Sequence, residues 1–208
     1  MQNTIENNST KIGLVIMASG LGKRFGGNKL LETLGGKPIV QWIIDATDGL
    51  FDRRVVVTRS GDIKDLCDNI GIKCILHELP NRNDTVRLGL SLIMNDIDYC
   101  FFSPADQPLI SKSSIVSLIT ASKNHNEKIV RPCFKDMIGT PTGFPKRYFD
   151  ELLNLPEHKG GNLVALKHSE EVYKVDVCNE YELMDVDTVA DLERVKEVIQ
   201  WQIKSLKI

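Results

Sequence analysis

The sequence has no apolar stretch that could span a bilayer. Its uninterrupted apolar runs, such as Leu14 to Ala18, fall far short of the roughly 20 residues a helical span needs. It also lacks a basic excess. Its 26 Lys and Arg stand against 28 Asp and Glu, for a net charge of −2. That balance gives no reason to expect a nucleic acid or an anionic membrane as partner. Cysteine is scarce and scattered: Cys67, Cys74, Cys100, Cys133 and Cys178 are odd in number and form no C-x-x-C. Reduced, mostly buried thiols are expected, not a disulfide framework. His77, His125, His158 and His168 lie far apart, so zinc is not expected either. Met1 to Lys11 is polar and Asn-rich, without the basic flank or apolar core of a signal peptide. A cytoplasmic location is expected, with residues 1–10 as a disordered tail.

What remains is ordinary globular composition: 208 residues, 42% hydrophobic and 26% charged. Short apolar runs alternate with helical patterns. Ile12 to Ala18 reads as a buried strand bounded by glycine, and Arg54 to Thr58, Ile72 to Leu76 and Tyr99 to Ser103 read likewise. Further strands are expected near 128–133 and 172–177. Between them, helices are expected with Pro38 at a first helical position, after caps at Ser60, Asp84 and Ser111, and around 146–155 and 161–168. Thr188 and Asp191 form a capping box ahead of the stripe Val189, Leu192, Val195 and Ile199. This alternation predicts an α/β fold: three layers, one Rossmann-like domain over residues 11–208, with a mostly parallel sheet. Ligands of such folds sit at the carboxyl ends of the strands.

The loop leaving the first strand, Ser19 to Lys29, carries three cations among four glycines. Glycine lets backbone N–H groups approach phosphate oxygens, and the cations supply charge. A dinucleotide fingerprint starting at Gly20 fails at Phe25. A P-loop ending at Gly27 fails because Asn28 follows. A basic surface turn fits the same composition. Asp106 stands just past an apolar strand before Pro108, a place that also suits an Asx turn. Asp185 and Asp187 share one face of an extended segment, though Asp187 also suits the positive end of the last helix.

Met17 to Leu31 resembles the nucleotide-binding segment of the nucleotidyltransferases, above all those of the molybdenum cofactor. Three further segments extend the resemblance over about residues 12–198. Ser103 to Leu109 resembles the family's Asp-Gln-Pro metal loop, Gly139 to Pro145 its Gly-x-Pro segment on the acceptor side, and Asp185 to Leu192 its closing Asp-x-Asp-Thr segment. The resemblance implies a nucleotide-diphospho-sugar transferase-like fold and Mg²⁺-dependent transfer of a nucleotidyl group to molybdopterin. The group is CMP from CTP in the cytidylyl branch. It implies Asp106 and Asp187 as metal ligands, Lys29 at the α-phosphate and Arg24 at the leaving phosphates. Ala18, Ser19, Gly20, Gly22, Thr85 and Gly89 would contact the nucleotide. A molybdenum hydroxylase would receive the product. Guanylyl transfer, a sugar- or polyol-phosphate acceptor, and a non-catalytic nucleotide-binding protein of the same fold remain alternatives. Guanylyl relatives usually carry Ala-Gly-Gly where this chain has Ala18-Ser19-Gly20.

Overall fold

In a computed structural model, residues 10–20, 22 and 25–205 are described. The residues before Thr10, and with them nearly all of the expected tail, lie outside this set, as do Lys23 and Arg24. The chain runs through β1 (Ile12–Ala18), β2 (Thr33–Leu34), β3 (Lys37–Pro38), α1 (Ile39–Ala46), β4 (Arg53–Thr58), α2 (Gly61–Asn69), β5 (Cys74–Leu76) and α3 (Arg82–Ile93). It continues through β6 (Tyr99–Pro104), α4 (Lys112–Asn124), β7 (Ile129–Phe134), β8 (Met137–Ile138), β9 (Thr142–Pro145), α5 (Phe149–Leu153), α6 (Asn162–Lys167), β10 (Val172–Asp176) and α7 (Val189–Ser205). The main sheet has the order β10-β7-β9-β6-β1-β4-β5, with β8 added to β7. All neighbours are parallel except β9, which runs antiparallel to both β6 and β7, and β8, which runs antiparallel to β7.

Strand β1 explains why its sequence is a continuous apolar run. It is central, and both its faces are covered. Leu14 and Ile16 join a core formed with Ile39 and Ile43 of α1, Ile63 of α2, Leu118 of α4 and Val195 of α7. Val15 points the other way, into a second core with Val86 and Leu90 of α3, Leu152 of α5 and Val164 of α6. The result is the three-layer, mostly parallel Rossmann-like sheet expected from the alternation. None of the helices among the described residues is long and apolar enough to cross a membrane.

Three local expectations are corrected. Helix α3 is capped by Asn81, not Asp84. Asp84 sits in the first turn, where its Oδ2 accepts from the Asn81 N–H at 3.1 Å. Pro38 is the cap of α1 and not its first helical residue. Strand β9 was not expected, because Gly143 and Pro145 fall inside it. The structure shows what the glycine does: a Cβ at Gly143 would lie 2.5 Å from ring atoms of Tyr99 and Phe101 on β6. Only a bare backbone lets those two rings cross it.

Candidate nucleotide site at the carboxyl ends of β1, β4 and β6

The parallel strands β1, β4 and β6 end side by side, and their exit loops surround a cavity of about 700 Å³. The loop after β1 contributes Ser19, Gly20, Gly22 and Lys29 to its lining. Gly22 has φ +57°, and the Gly22 carbonyl accepts from the N–H groups of Phe25 at 2.8 Å and Gly26 at 3.2 Å. A Cβ at Gly22 would lie 2.1 Å from the Gly27 carbonyl oxygen, so this return of the loop requires glycine.

A short 3₁₀ turn, Lys29–Leu31, closes the loop and turns Lys29 inward. Its ammonium donates to Asp106 Oδ2 at 2.6 Å and to Asp187 Oδ1 at 2.7 Å. Burial alone would lower the Lys29 pKa, but the two carboxylates outweigh it and hold the ammonium above its usual value. Backbone bonds set the carboxylates in place. Ala105 N–H donates to the Met17 carbonyl at 3.1 Å, and Val186 N–H donates to the Asp106 carbonyl at 2.9 Å. The Gln107 amide reaches the Leu183 carbonyl at 3.4 Å, and the same side chain accepts from Thr140 Oγ1 at 2.7 Å. Gln107 thereby ties the turn after β6 both to the closing acidic segment and to the segment before β9. At the start of α7, Asp191 Oδ2 accepts from the Thr188 N–H at 2.8 Å, while Thr188 Oγ1 accepts from the Asp191 N–H at 3.2 Å. This is the capping box read from the sequence, and it fixes the residue after Asp187.

Asp185 lines the same cavity. Burial, then the charges of Asp106 and Asp187, push its pKa up to about 6 against the pull of Gln107 and Lys29. Asp106, Asp185 and Asp187 thus stand together around Lys29 in a wall that also carries Arg59 and Arg82. Hard oxygen donors of this kind suit a divalent cation such as Mg²⁺, which takes one or two carboxylates and completes its shell with phosphate and water. Among the described residues there is no ready cage of three or more His, Cys, Asp or Glu side chains. The donor set is a carboxylate pair that fits a metal arriving with its substrate.

Of the other nucleotide residues expected from the sequence, Thr85 is buried in the first turns of α3 and lines the cavity. Two residues are not brought to it. Ala18 lies behind the rim, with its carbonyl taken by Thr58 Oγ1 at 3.1 Å. Gly89 faces the sheet: a Cβ there would lie 2.4 Å from Val15 Cγ1 and 3.1 Å from Val57 Cγ2. It is a close-packing glycine outside the cavity lining. Arg24 falls outside the described residues.

Sequence reasoning missed the contribution of β4's exit. Three consecutive residues there hold the loop after β1: Thr58 takes the Ala18 carbonyl, Arg59 the Ser19 carbonyl, and Ser60 Oγ accepts from Asn28 Nδ2 at 3.0 Å. Arg59 also lines the cavity. The available signal was position alone, at the carboxyl end of a strand beside β1.

A mostly parallel sheet with a glycine-rich loop, a lysine and two carboxylates at its carboxyl edge defines a Rossmann-like fold of the nucleotide-diphospho-sugar transferase kind. Residues 14–172 match the family model described as MobA-like NTP transferase domain, and the chain belongs to that family. It is 34% identical over 115 residues to a 2-C-methyl-D-erythritol 4-phosphate cytidylyltransferase of Endomicrobium trichonymphae, covering 52% of each chain. It is 26% identical over 123 residues to a probable molybdenum cofactor guanylyltransferase of Natranaerobius thermophilus, covering 58% of this chain and 60% of that one. The chain thus spans little more than half the length of these curated relatives. Among solved structures, Rv0371c of Mycobacterium tuberculosis H37Rv superposes with a TM-score of 0.76 at 23% identity, covering 90% of this chain and 99% of that one. That protein has also been solved in complex with manganese.

Proposed function

We propose that this chain is a divalent-metal-dependent nucleotidyltransferase that moves a nucleoside monophosphate from a nucleoside triphosphate to a phosphate monoester, releasing pyrophosphate. The observation that carries the reading is the meeting of Lys29 with Asp106 and Asp187 inside the cavity bounded by the Gly20–Gly22 loop. The family supports it, and so do relatives named for cytidylyl and guanylyl transfer.

The acceptor's phosphate has a second pKa near 6, so it is largely ionised at neutral pH and needs no general base. Its oxygen attacks the α-phosphorus, the bond to the β-phosphate breaks, and pyrophosphate leaves with the electron pair. The protein's part is positioning and charge neutralisation. Lys29 supplies positive charge at the α-phosphate. The Gly20–Gly22 loop receives the triphosphate, Arg24 holds the leaving phosphates, and Ser19 and Thr85 border the nucleoside. Asp106 and Asp187 would hold Mg²⁺, which when bound neutralises phosphate charge on the attacking and leaving sides. The manganese complex of the mycobacterial protein supports a divalent cation in this role.

A second cavity of about 270 Å³ shares Met17, Arg82, Thr140 and His158 with the first and extends towards Lys159 and Leu163. Its apolar walls and cationic rim suit an acceptor with an apolar body and an anionic end. Molybdopterin is the acceptor we favour and CTP the donor, within one domain over residues 11–208 of a cytoplasmic enzyme that hands its product to a molybdenum hydroxylase. Ala18-Ser19-Gly20 in place of Ala-Gly-Gly favours the cytidylyl branch over the guanylyl.

Metal-dependent pyrophosphate release from CTP and GTP in the presence of acceptor is the test. Removing one such electrostatic group typically costs about a hundredfold in rate. Lys29→Met and Asp106→Asn are each expected to lose at least that. Undiminished turnover in both variants would overturn the assignment.

A further inference from the structure

Ser19 is held by more bonds than a turn residue requires. Arg59 spends two donors on its carbonyl, Nε at 2.8 Å and Nη2 at 2.6 Å, and Arg59 Nη1 reaches on to the Pro80 carbonyl at 3.4 Å. The Ser19 hydroxyl lies 3.1 Å from the Val57 carbonyl and 2.9 Å from His77 Nε2. The backbone N–H of His77 itself donates to the Thr58 carbonyl at 3.0 Å, so the ring is carried on the end of β5.

With its one proton given to the Val57 carbonyl, the Ser19 hydroxyl accepts from His77. The imidazole therefore carries its proton on Nε2, which leaves Nδ1 as a bare acceptor. Nδ1 is shut off from solvent and has no partner among the described residues. A second proton there would find no acceptor, and burial together with the Arg59 charge holds the His77 pKa below its usual value, against a weaker pull from Asp84. The ring is a neutral, one-way donor.

We propose that Arg59 and His77 are positioning residues for the nucleoside triphosphate: together they lock Ser19 and so set where β1 delivers the glycine-rich loop to the cavity. Arg59 also spans from this turn to the segment ahead of α3, which fixes the gap between Ser19 and Thr85 that a nucleoside would enter. The inference rests on the nucleotide reading above. It concerns two residues that no motif marks, acting through Ser19 and not on the reacting atoms.

The test is calorimetric binding of CTP, GTP, ATP and UTP with Mg²⁺, joined to steady-state kinetics for the nucleotide that binds. His77→Ala is expected to weaken nucleotide binding and raise KM several-fold, with kcat at saturation changed far less. His77→Gln, which keeps an N–H at similar reach, restores binding to within about twofold. Arg59→Ala is expected to weaken binding about tenfold, the scale of losing one charge-assisted bond. In a Ser19→Ala background His77→Ala adds little, because the hydroxyl through which it acts is gone. Nitrogen NMR of the imidazole reads the same claim without nucleotide and shows the Nε2–H tautomer at neutral pH. An unchanged cost of His77→Ala in the Ser19→Ala background, a kcat loss without a KM change, or the Nδ1–H tautomer would each overturn the proposal while leaving nucleotide transfer intact. A wild-type protein that binds none of the four nucleotides would overturn the nucleotide reading itself, and this inference with it.

Discussion

At the scale of single residues, the site is governed by charges that the protein has already brought out of water. The Lys29 side chain is only 8% exposed and its ammonium bridges two carboxylates, of which Asp106 is 21% exposed and Asp187 46%. Removing one member of a fully buried pair costs about 3–5 kcal/mol, because the partner is left uncompensated. With Asp187 half in solvent the penalty is smaller, and Lys29→Met is expected to lower stability by about 2 kcal/mol in chemical denaturation. The ammonium and a divalent cation also compete for the same oxygens. Mn²⁺ without nucleotide is therefore expected to raise the melting temperature of Lys29→Met more than that of the wild type. An equal or smaller rise in the variant would show that the cation goes elsewhere. Lys29, Asp106 and Asp187 were named through the family resemblance, since position alone suited a basic turn, an Asx turn and a helix start as well. Arg59 and His77 were not, because bonds to a backbone carbonyl and a lone hydroxyl leave no spacing pattern. The packing role of Gly89 was not legible either. A glycine that lets a helix lie close on a sheet looks, in one dimension, like a glycine that lets a ligand approach.

At the scale of elements, that same glycine sets how α3 sits on β1 and β4. Gly89→Ala would force its Cβ against Val15 and Val57, and overpacking of this kind costs about 1–3 kcal/mol. The loss should appear in thermal unfolding, and nucleotide binding should weaken with it, since α3 carries Thr85 into the cavity. A variant as stable as the wild type would mean that α3 shifts without cost. The start of α7 is a second case. Thr188→Ala removes the capping hydroxyl, which is worth about 1 kcal/mol, and loosens the residue next to Asp187. It is expected to lower the melting temperature slightly and to weaken Mn²⁺ binding. Full metal affinity in this variant would detach the cap from the site. The buried parallel strands were legible as apolar runs because both of their faces are covered. Strand β9 was not, because Gly143 and Pro145 read as breakers, while the glycine is there for the rings of β6, a feature of the packed sheet and not of the segment.

At the scale of the whole molecule, the arrangement gathers Ser19, Lys29, Thr85, Asp106 and Asp187 at one edge. The carboxyl ends of β1, β6 and β4 supply the loop, Asp106 and the Arg59 brace, and the segment leading into α7 adds Asp187. Net charge is near neutral, so the proposed attraction for a triphosphate rests on Lys29 and the cations of the loop after β1 and not on the field of the whole protein. Binding at such a site should stabilise the entire fold, because it ties together strands that carry both cores. A ligand at about 100 times its Kd adds roughly 2.7 kcal/mol, which for a chain of this size is about 5–10 °C in melting temperature. The most direct measurement is the melting temperature of the purified protein with Mg²⁺ and each of CTP, GTP, ATP and UTP, repeated on Asp106→Asn. The account predicts a rise of that size with one pyrimidine or purine triphosphate, CTP foremost, and its loss in Asp106→Asn. No rise with any of the four, or a rise that survives in Asp106→Asn, would contradict a metal-dependent nucleotide site at this edge of the sheet.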